Sequence, residues 1–155
     1  MNLTMIDEID KRILHAFSGD ARRSVESVAE EIGLSTTPTR RRVKNLEASG
    51  VIRRYAVDVD MDQAGYGLTV YVFIKLQSRD QTNIAQFEDK ILHLPEVTEC
   101  ALVTGPHDYV LTMRMKDMET YNRFLRSVLS ELPGVFGIET SVVIGSVKNE
   151  IPLPY

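Results

Sequence analysis

Around Asp58-Val59-Asp60-Met61-Asp62-Gln63-Ala64-Gly65-Tyr66 the sequence changes period. Upstream of this acidic, aperiodic stretch, apolar residues recur every three or four positions, the spacing of amphipathic helices. Downstream, β-branched and aromatic runs alternate with helical ones, the pattern of strands interleaved with helices. One period cannot serve both halves. The chain therefore divides into a helical unit at 1–57, a linker at 58–66 and a mixed unit at 67–155. The charges divide at the same place. Residues 1–57 carry ten Lys/Arg against eight Asp/Glu, and 58–155 carry eight against fourteen, so the overall charge of −4 conceals a basic half and an acidic half.

A composition 43% hydrophobic and 26% charged belongs to a folded chain rather than a disordered one. The best apolar run, Leu68 to Ile74, is far shorter than the about 20 residues of a membrane span, so no membrane partner is expected. Asp7, Glu8 and Asp10 stand where a signal peptide would be basic and then apolar. The lone Cys100 cannot pair within the chain. The expectation is a cytoplasmic protein.

In the first half, Ile6, Ile9, Ile13, Leu14 and Phe17 mark a helix that Asp7 caps and Gly19-Asp20 stops. Val25, Val28, Ala29 and Ile32 mark a second, closed by Gly33. Ser35 suits the N-cap of a third helix starting at Thr36, with Pro38 in its first turn, where a missing N–H costs little. Thr39, Val43 and Leu46 then face inward, and Gly50 ends the helix. Val51 to Val57 alternates as a strand, half of a wing. Two short helices joined at a glycine, the second basic on its outer face, form a helix-turn-helix. Between residues 36 and 54, Arg40, Arg41, Arg42, Lys44, Arg53 and Arg54 face only Glu47. Hydroxyls and amides at a helix N-terminus grip phosphate, and Arg or Lys one turn later reaches base edges. The expected contacts to double-stranded DNA are Ser35, Thr36, Thr37, Arg40, Arg41, Lys44 and Arg53. Arg42 lies round the helix from Arg40 and Lys44, and its role is the least defined of the set. Arg22 and Arg23 are further phosphate candidates.

The second half reads as βαββαβ. Leu68 to Leu76 is a strand. Ile84, Phe87, Ile91 and Leu92 mark a helix, Val97 to Val103 a strand, Gly105 to Asp108 a turn, and Tyr109 to Met115 the returning strand. Asp117 caps a helix with Met118, Tyr121, Phe124, Leu125, Val128, Leu129 and Leu132 on one face, and a last strand runs from about Phe136 to Val147. Leu94-Pro95-Glu96-Val97 and Leu132-Pro133-Gly134-Val135 each precede a strand, an internal echo of the ferredoxin-like order. In the first strand Leu68, Val70, Val72, Ile74 and Leu76 fall on one face and Thr69, Tyr71, Phe73 and Lys75 on the other. With helices on one side only, the bare face predicts a homodimer packed sheet to sheet, which would also pair two helix-turn-helix units.

The run Leu34-Ser35-Thr36-Thr37-Pro38-Thr39-Arg40-Arg41-Arg42-Val43-Lys44-Asn45-Leu46-Glu47-Ala48-Ser49-Gly50-Val51-Ile52 resembles the recognition-helix signature of the Lrp/AsnC (feast/famine) family of transcriptional regulators. So does the opening Asp7-Glu8-Ile9-Asp10-Lys11-Arg12-Ile13-Leu14. Thr104-Gly105-Pro106-His107-Asp108-Tyr109 is similar to the family's Gly-x-x-Asp-aromatic turn, and Leu132-Pro133-Gly134-Val135 to the approach to its last strand. The likeness runs in order along essentially the whole chain. Thr39 stands where many members have cysteine, and His107 where Phe, Tyr or a small residue is usual. The resemblance implies an α+β protein, a winged helix-turn-helix followed by a ferredoxin-like, effector-binding domain of the RAM type. It also implies dimers, often in rings of four, with an amino acid or related metabolite between subunits. By position, Gly105, His107, Asp108 and Tyr109 would form one wall of that site, with amides near Gly105 for a carboxylate and Asp108 for an α-ammonium. Thr140 and Ser141 are candidates for the opposite wall.

Two other readings stand beside this one. An enzyme finds little support: His15, His93 and His107 lack metal-ligand spacing, and Gly65-x-Gly67 lacks the rest of a dinucleotide fingerprint, so no cofactor is expected. Sirohaem decarboxylases share a similar architecture, but an enzyme has no need of Thr36, Thr37, Arg40, Arg41 and Lys44 on one exposed face. The other reading is a DNA-organising protein of weak sequence preference that ignores effectors, for which binding would fall steeply with salt.

Overall fold

The structure, a computed structural model, describes residues 6–148. They fall into two compact units that part at Asp58/Val59.

The first unit holds α1 (Glu8–Gly19), α2 (Val25–Glu31) and α3 (Thr36–Ala48). Its caps follow from local chemistry. Asp7 and Asp10 form a reciprocal capping box at the start of α1, and Ser24 accepts from the Ser27 amide at the start of α2. Gly33 and Gly50, both at positive φ, turn the chain after α2 and α3. Ile13, Phe17, Val28, Ile32, Val43 and Leu46 make the core. Thr39 is fully buried with them, its hydroxyl donating to the Ser35 carbonyl at 3.0 Å.

Residues 51–57 depart from the expected strand and wing: Val51 and Ile52 form a bend, and the chain to Asp60 is irregular. The stretch has strand-forming residues but no ladder to join, and a strand without a partner has no place for its backbone groups. Among the described residues every strand belongs to the second unit. Two residues of the stretch are anchored. Ile52 packs against the helical core and donates its amide to the Leu46 carbonyl at 3.0 Å. Tyr55 meets the edge of the Phe17 ring and donates its hydroxyl to Glu47 at 2.8 Å; burial, then Glu47, pushes its pKa up to about 12.

The second unit runs β1 (Leu68–Leu76), α4 (Gln81–Leu92), β2 (Val97–Leu102), β3 (Tyr109–Met115), α5 (Met118–Ser127), a 3-10 turn (Leu129–Glu131) and β4 (Val135–Val142). The sheet order is β2-β3-β1-β4, every pairing antiparallel, which is the ferredoxin-like arrangement. Val70, Val72 and Ile74 of β1 and Tyr109, Leu111 and Met113 of β3 are buried under Phe87, Ile91, Tyr121 and Leu129. Several details differ from the sequence pattern. The helix expected to run on through Leu132 ends at Ser127, and Leu129 to Glu131 form a 3-10 turn. β4 ends at Val142, five residues early, and Ile144 and Val147 beyond it are fully exposed. Leu92 and Met118, assigned above to buried helix faces, are exposed because each is the terminal residue of its helix, beyond the reach of the sheet.

The sheet's outer face is less apolar than expected. Register places Tyr71 and Phe73 beside Val110 and Thr112 of β3 and Ser141 and Glu139 of β4. Polar pairs surround them: Arg114 donates to the Thr69 hydroxyl at 2.6 Å, and Thr112 to Glu99 at 3.1 Å.

Candidate DNA-reading surface and effector cavity

The first turn of α3 is built differently from those of α1 and α2. Ser35 occupies the N-cap, yet its hydroxyl makes no capping bond. Its carbonyl instead accepts from both the amide and the hydroxyl of Thr39. The Ser35 hydroxyl thus stays available at a helix end whose first amides lack intrahelical acceptors. Thr37 beside it is exposed and Thr36 half-buried.

The basic residues have separate fates. Arg41, Lys44 and Arg53 are exposed and have no ion-pair or hydrogen-bond partner among the described residues. Arg40, also exposed, pairs with Glu26 of α2. Arg42 turns inward: its Nη1 donates to Asp7 at 2.7 Å and Asp10 at 2.8 Å, clasping α3 to the capping box of α1. The Asp10 amide and Arg42 both hold the Asp7 carboxyl below its ordinary range, while the two aspartates raise Arg42. Arg23 is likewise engaged, paired with Glu31 and donating to the Ser27 hydroxyl at 3.1 Å. Arg42's inward role was missed from the sequence, although Asp7 and Asp10, spaced as a capping box, were the available signal.

The second unit contains a cavity of about 410 Å3 at the end of β1 and the β2–β3 turn. Gly105, Asp108 and Tyr109 line it, together with Leu76, Arg79, Ile84, Leu102, Val103 and Thr104. Asp108 is buried, and each of its carboxylate oxygens has a partner. One carboxylate oxygen accepts the Leu76 amide at 2.8 Å, and the other meets the Arg79 Nε at 2.6 Å. Its backbone is tied as well: the amide donates to the Ile74 carbonyl and the carbonyl accepts from the Val103 amide. The Leu76 hydrogen bond is the main reason the Asp108 carboxyl lies below its ordinary range; burial opposes it and Arg79 assists. Tyr109 donates its hydroxyl to Glu88 at 2.7 Å, and burial, then Glu88, raises its pKa.

The remaining candidates face elsewhere within one chain. His107 lies on the outer sheet face, its ring 5.3 Å from that of Phe73 and its Nε2 3.2 Å from Glu139. Ser141 pairs opposite Tyr71 on that same face. Thr140 points to the helix side, sharing a hydrogen bond with the Tyr121 hydroxyl and bordering a separate hollow with Arg126 and Phe136. The alternation of a strand separates Thr140 from Ser141. It likewise separates His107 from Asp108 at the turn. Arg79, which the sequence reading passed over, is the cation beside the cavity.

Among the described residues no group of three His, Cys, Asp or Glu is placed to hold a metal ion, and no helix is long and apolar enough to cross a membrane.

Comparison with known proteins is consistent along the chain. Residues 6–47 match the AsnC-type helix-turn-helix domain and residues 69–153 the Lrp/AsnC ligand binding domain. The Bkd operon transcriptional regulator of Pseudomonas aeruginosa is 37% identical over 142 residues, covering 92% of this chain and 93% of that protein. The leucine-responsive regulatory protein of Escherichia coli is 36% identical over 144 residues, covering 93% and 88%. Among solved structures, a transcriptional regulator from Neisseria meningitidis in complex with L-Met superposes with a TM-score of 0.91 at 27% identity, over 97% of each chain.

Proposed function

The chain belongs to the Lrp/AsnC family and is a DNA-binding transcriptional regulator, and we propose that it reads DNA through α3 and responds to a small carboxylic effector, an amino acid first of all, bound at the Asp108 cavity. The enzyme reading gives way, since the relatives are transcriptional regulators. The observation that carries the DNA reading is the bare pair Arg41 and Lys44 on a helix whose third arginine, Arg42, is spent on holding it in place. Arg41, Lys44 and Arg40 enter the groove, Ser35, Thr36 and Thr37 meet phosphate at the helix N-terminus, and Arg53 contacts the flanking backbone. Glu26 holds Arg40 until DNA competes for it.

The effector reading keeps Gly105, Asp108 and Tyr109 and adds Arg79. The neighbour from Neisseria, solved with L-Met, supports an amino acid. His107 and Ser141 we assign instead to a homodimer seam on the outer sheet face, where Tyr71 and Phe73 supply the apolar centre and the polar pairs around them the rim. A cytoplasmic location and the division at 1–57, 58–66 and 67–155 complete the reading. Dimers that assemble further, as four-dimer rings, would let one ligand reset the spacing of several recognition helices. Such a ligand acts only through its differential affinity for two arrangements, typically about 1–3 kcal/mol.

The DNA reading is tested by fluorescence anisotropy on a duplex selected from a random library. Arg41→Ala is expected to cost about 1–3 kcal/mol on the selected site if it reads a base. Lys44→Ala is expected to weaken all duplexes alike and to flatten the salt dependence. Wild-type affinity in both variants would remove α3 from the DNA interface.

A further inference from the structure

Of the cations exposed on α3, one is restrained. Arg41 and Lys44 have no partner among the described residues, whereas Arg40 is paired across the helix-turn-helix with Glu26 in the first turn of α2. We propose that Arg40 reads a guanine in the major groove, and that Glu26 is the positioning residue that turns it toward the base and away from phosphate. The proposal rests on the DNA reading above and deepens it, naming the base that one residue recognises and a determinant of specificity outside α3.

Three observations carry it. First, the pair leaves Arg40 what a guanine needs. Glu26 Oε1 accepts from Nη2, and Nε and Nη1 have no partner among the described residues. The two hydrogens of Nη2 belong to different edges of the guanidinium, so the bond to Glu26 leaves one edge with both of its parallel donors. Guanine presents two acceptors to such an edge, N7 and O6. Adenine presents an acceptor beside a donor, thymine an acceptor beside a methyl group, and cytosine a donor. Second, Arg40 brings a negative neighbour to whatever it meets. The Glu26 carboxyl lies below its ordinary range: its own backbone amide acts first, Arg40 and Ser24 assist, and desolvation opposes them. It is therefore ionised at neutral pH. A phosphate approaching Arg40 is repelled by that carboxylate and the uncharged edge of guanine is not, so the pair tilts Arg40 from backbone to base. Third, the pair contributes little to the fold. Both side chains are exposed, the setting in which an ion pair adds least to stability. The two helices are already joined through Val28, Ile32, Val43 and Leu46, and the clasp on α1 belongs to Arg42.

The test is fluorescence anisotropy of the full-length protein on three kinds of duplex: the site selected from a random library, that site with each base pair changed in turn, and a nonspecific duplex. The unaltered protein should lose at least about fivefold in affinity when one particular G·C pair of each half-site becomes A·T. Arg40→Ala should reduce that preference to within about twofold. Arg40→Lys should do the same, because lysine keeps the charge and lacks the planar edge. Glu26→Gln should cut the preference at least about threefold while tightening the nonspecific duplex, and in an Arg40→Ala background it should leave the preference where Arg40→Ala put it. Each preference is a ratio within one variant, so a fall in the folded fraction cancels. A Glu26→Gln variant that shifts every duplex by one common factor, in either direction, overturns the proposal, since a general charge or a structural role does only that. So does Arg40→Ala with every base preference intact, or a library that yields no preferred guanine. Each of these leaves the DNA reading standing as long as Arg41→Ala or Lys44→Ala weakens binding. If none of the α3 variants alters binding, the DNA reading and this proposal fall together.

Discussion

Replacing Asp108 should damage the fold before it says anything about ligand. Asp108→Ala removes the acceptor of the buried Leu76 amide. A buried hydrogen bond to a charged group is worth about 1.5–3 kcal/mol. The Arg79 pair adds at most about 1 kcal/mol, because Arg79 is largely exposed and solvent screens it. The expected loss is therefore about 2–3 kcal/mol, which for a unit of fewer than a hundred residues lowers the melting temperature by about 10–20 °C. Asp108→Asn keeps a carbonyl oxygen for the amide and should lose about half as much. The pH dependence carries a second signature. The folded carboxyl titrates below its ordinary 3.8, so its contribution is complete above that value and is lost as pH falls through the lower, folded pKa. Between pH 7 and pH 3 the wild type should therefore lose more stability than Asp108→Asn, whose amide does not titrate. Thermal melts by circular dichroism at fixed protein concentration measure both quantities. A melting temperature for Asp108→Ala within about 2 °C of wild type, a change of under 0.5 kcal/mol, would refute the clamp and return Asp108 to the role of a free ligand group.

Two further predictions separate roles that look alike in the sequence. Arg42→Ala should destabilise the helical unit by about 1 kcal/mol, through the half-buried bond to Asp10, where Arg41→Ala changes its melting by less than about 0.5 kcal/mol; equal stability of the two variants would contradict the clasp. Tyr71→Glu places a charge in the apolar centre of the outer sheet face and should raise the dimer dissociation constant at least about tenfold in sedimentation equilibrium; an unchanged dimer would move the seam elsewhere.

The sequence carried most of what is local. Helix starts at Asp7 and Asp117 are legible because a cap bonds to an amide three residues away. The alternation in Leu68–Leu76 is legible because one of its faces is buried from Val70 to Leu76. What escaped depends on residues far apart in the chain. Val51–Val57 has the composition of a strand, but whether it becomes one depends on a partner that no local pattern reports. Arg42 could be placed on the far side of α3 from the letters alone, yet its reason for facing there, the acids of α1, lies more than thirty positions upstream. Asp108 and Gly105 were legible as a turn, and the identity of their neighbour Arg79 was not, since the two meet only when β1 and β3 pair. His107 and Asp108 were grouped by adjacency, whereas the sheet sends them to opposite faces.

The most direct test of the account as a whole is fluorescence anisotropy of the full-length protein on DNA from upstream of its own gene, at two salt concentrations, with and without each amino acid. The account predicts saturable binding that resists nonspecific competitor and an affinity that one apolar amino acid shifts by about 5–150-fold. Binding that no competitor-resistant component survives, or that no amino acid alters, would contradict it.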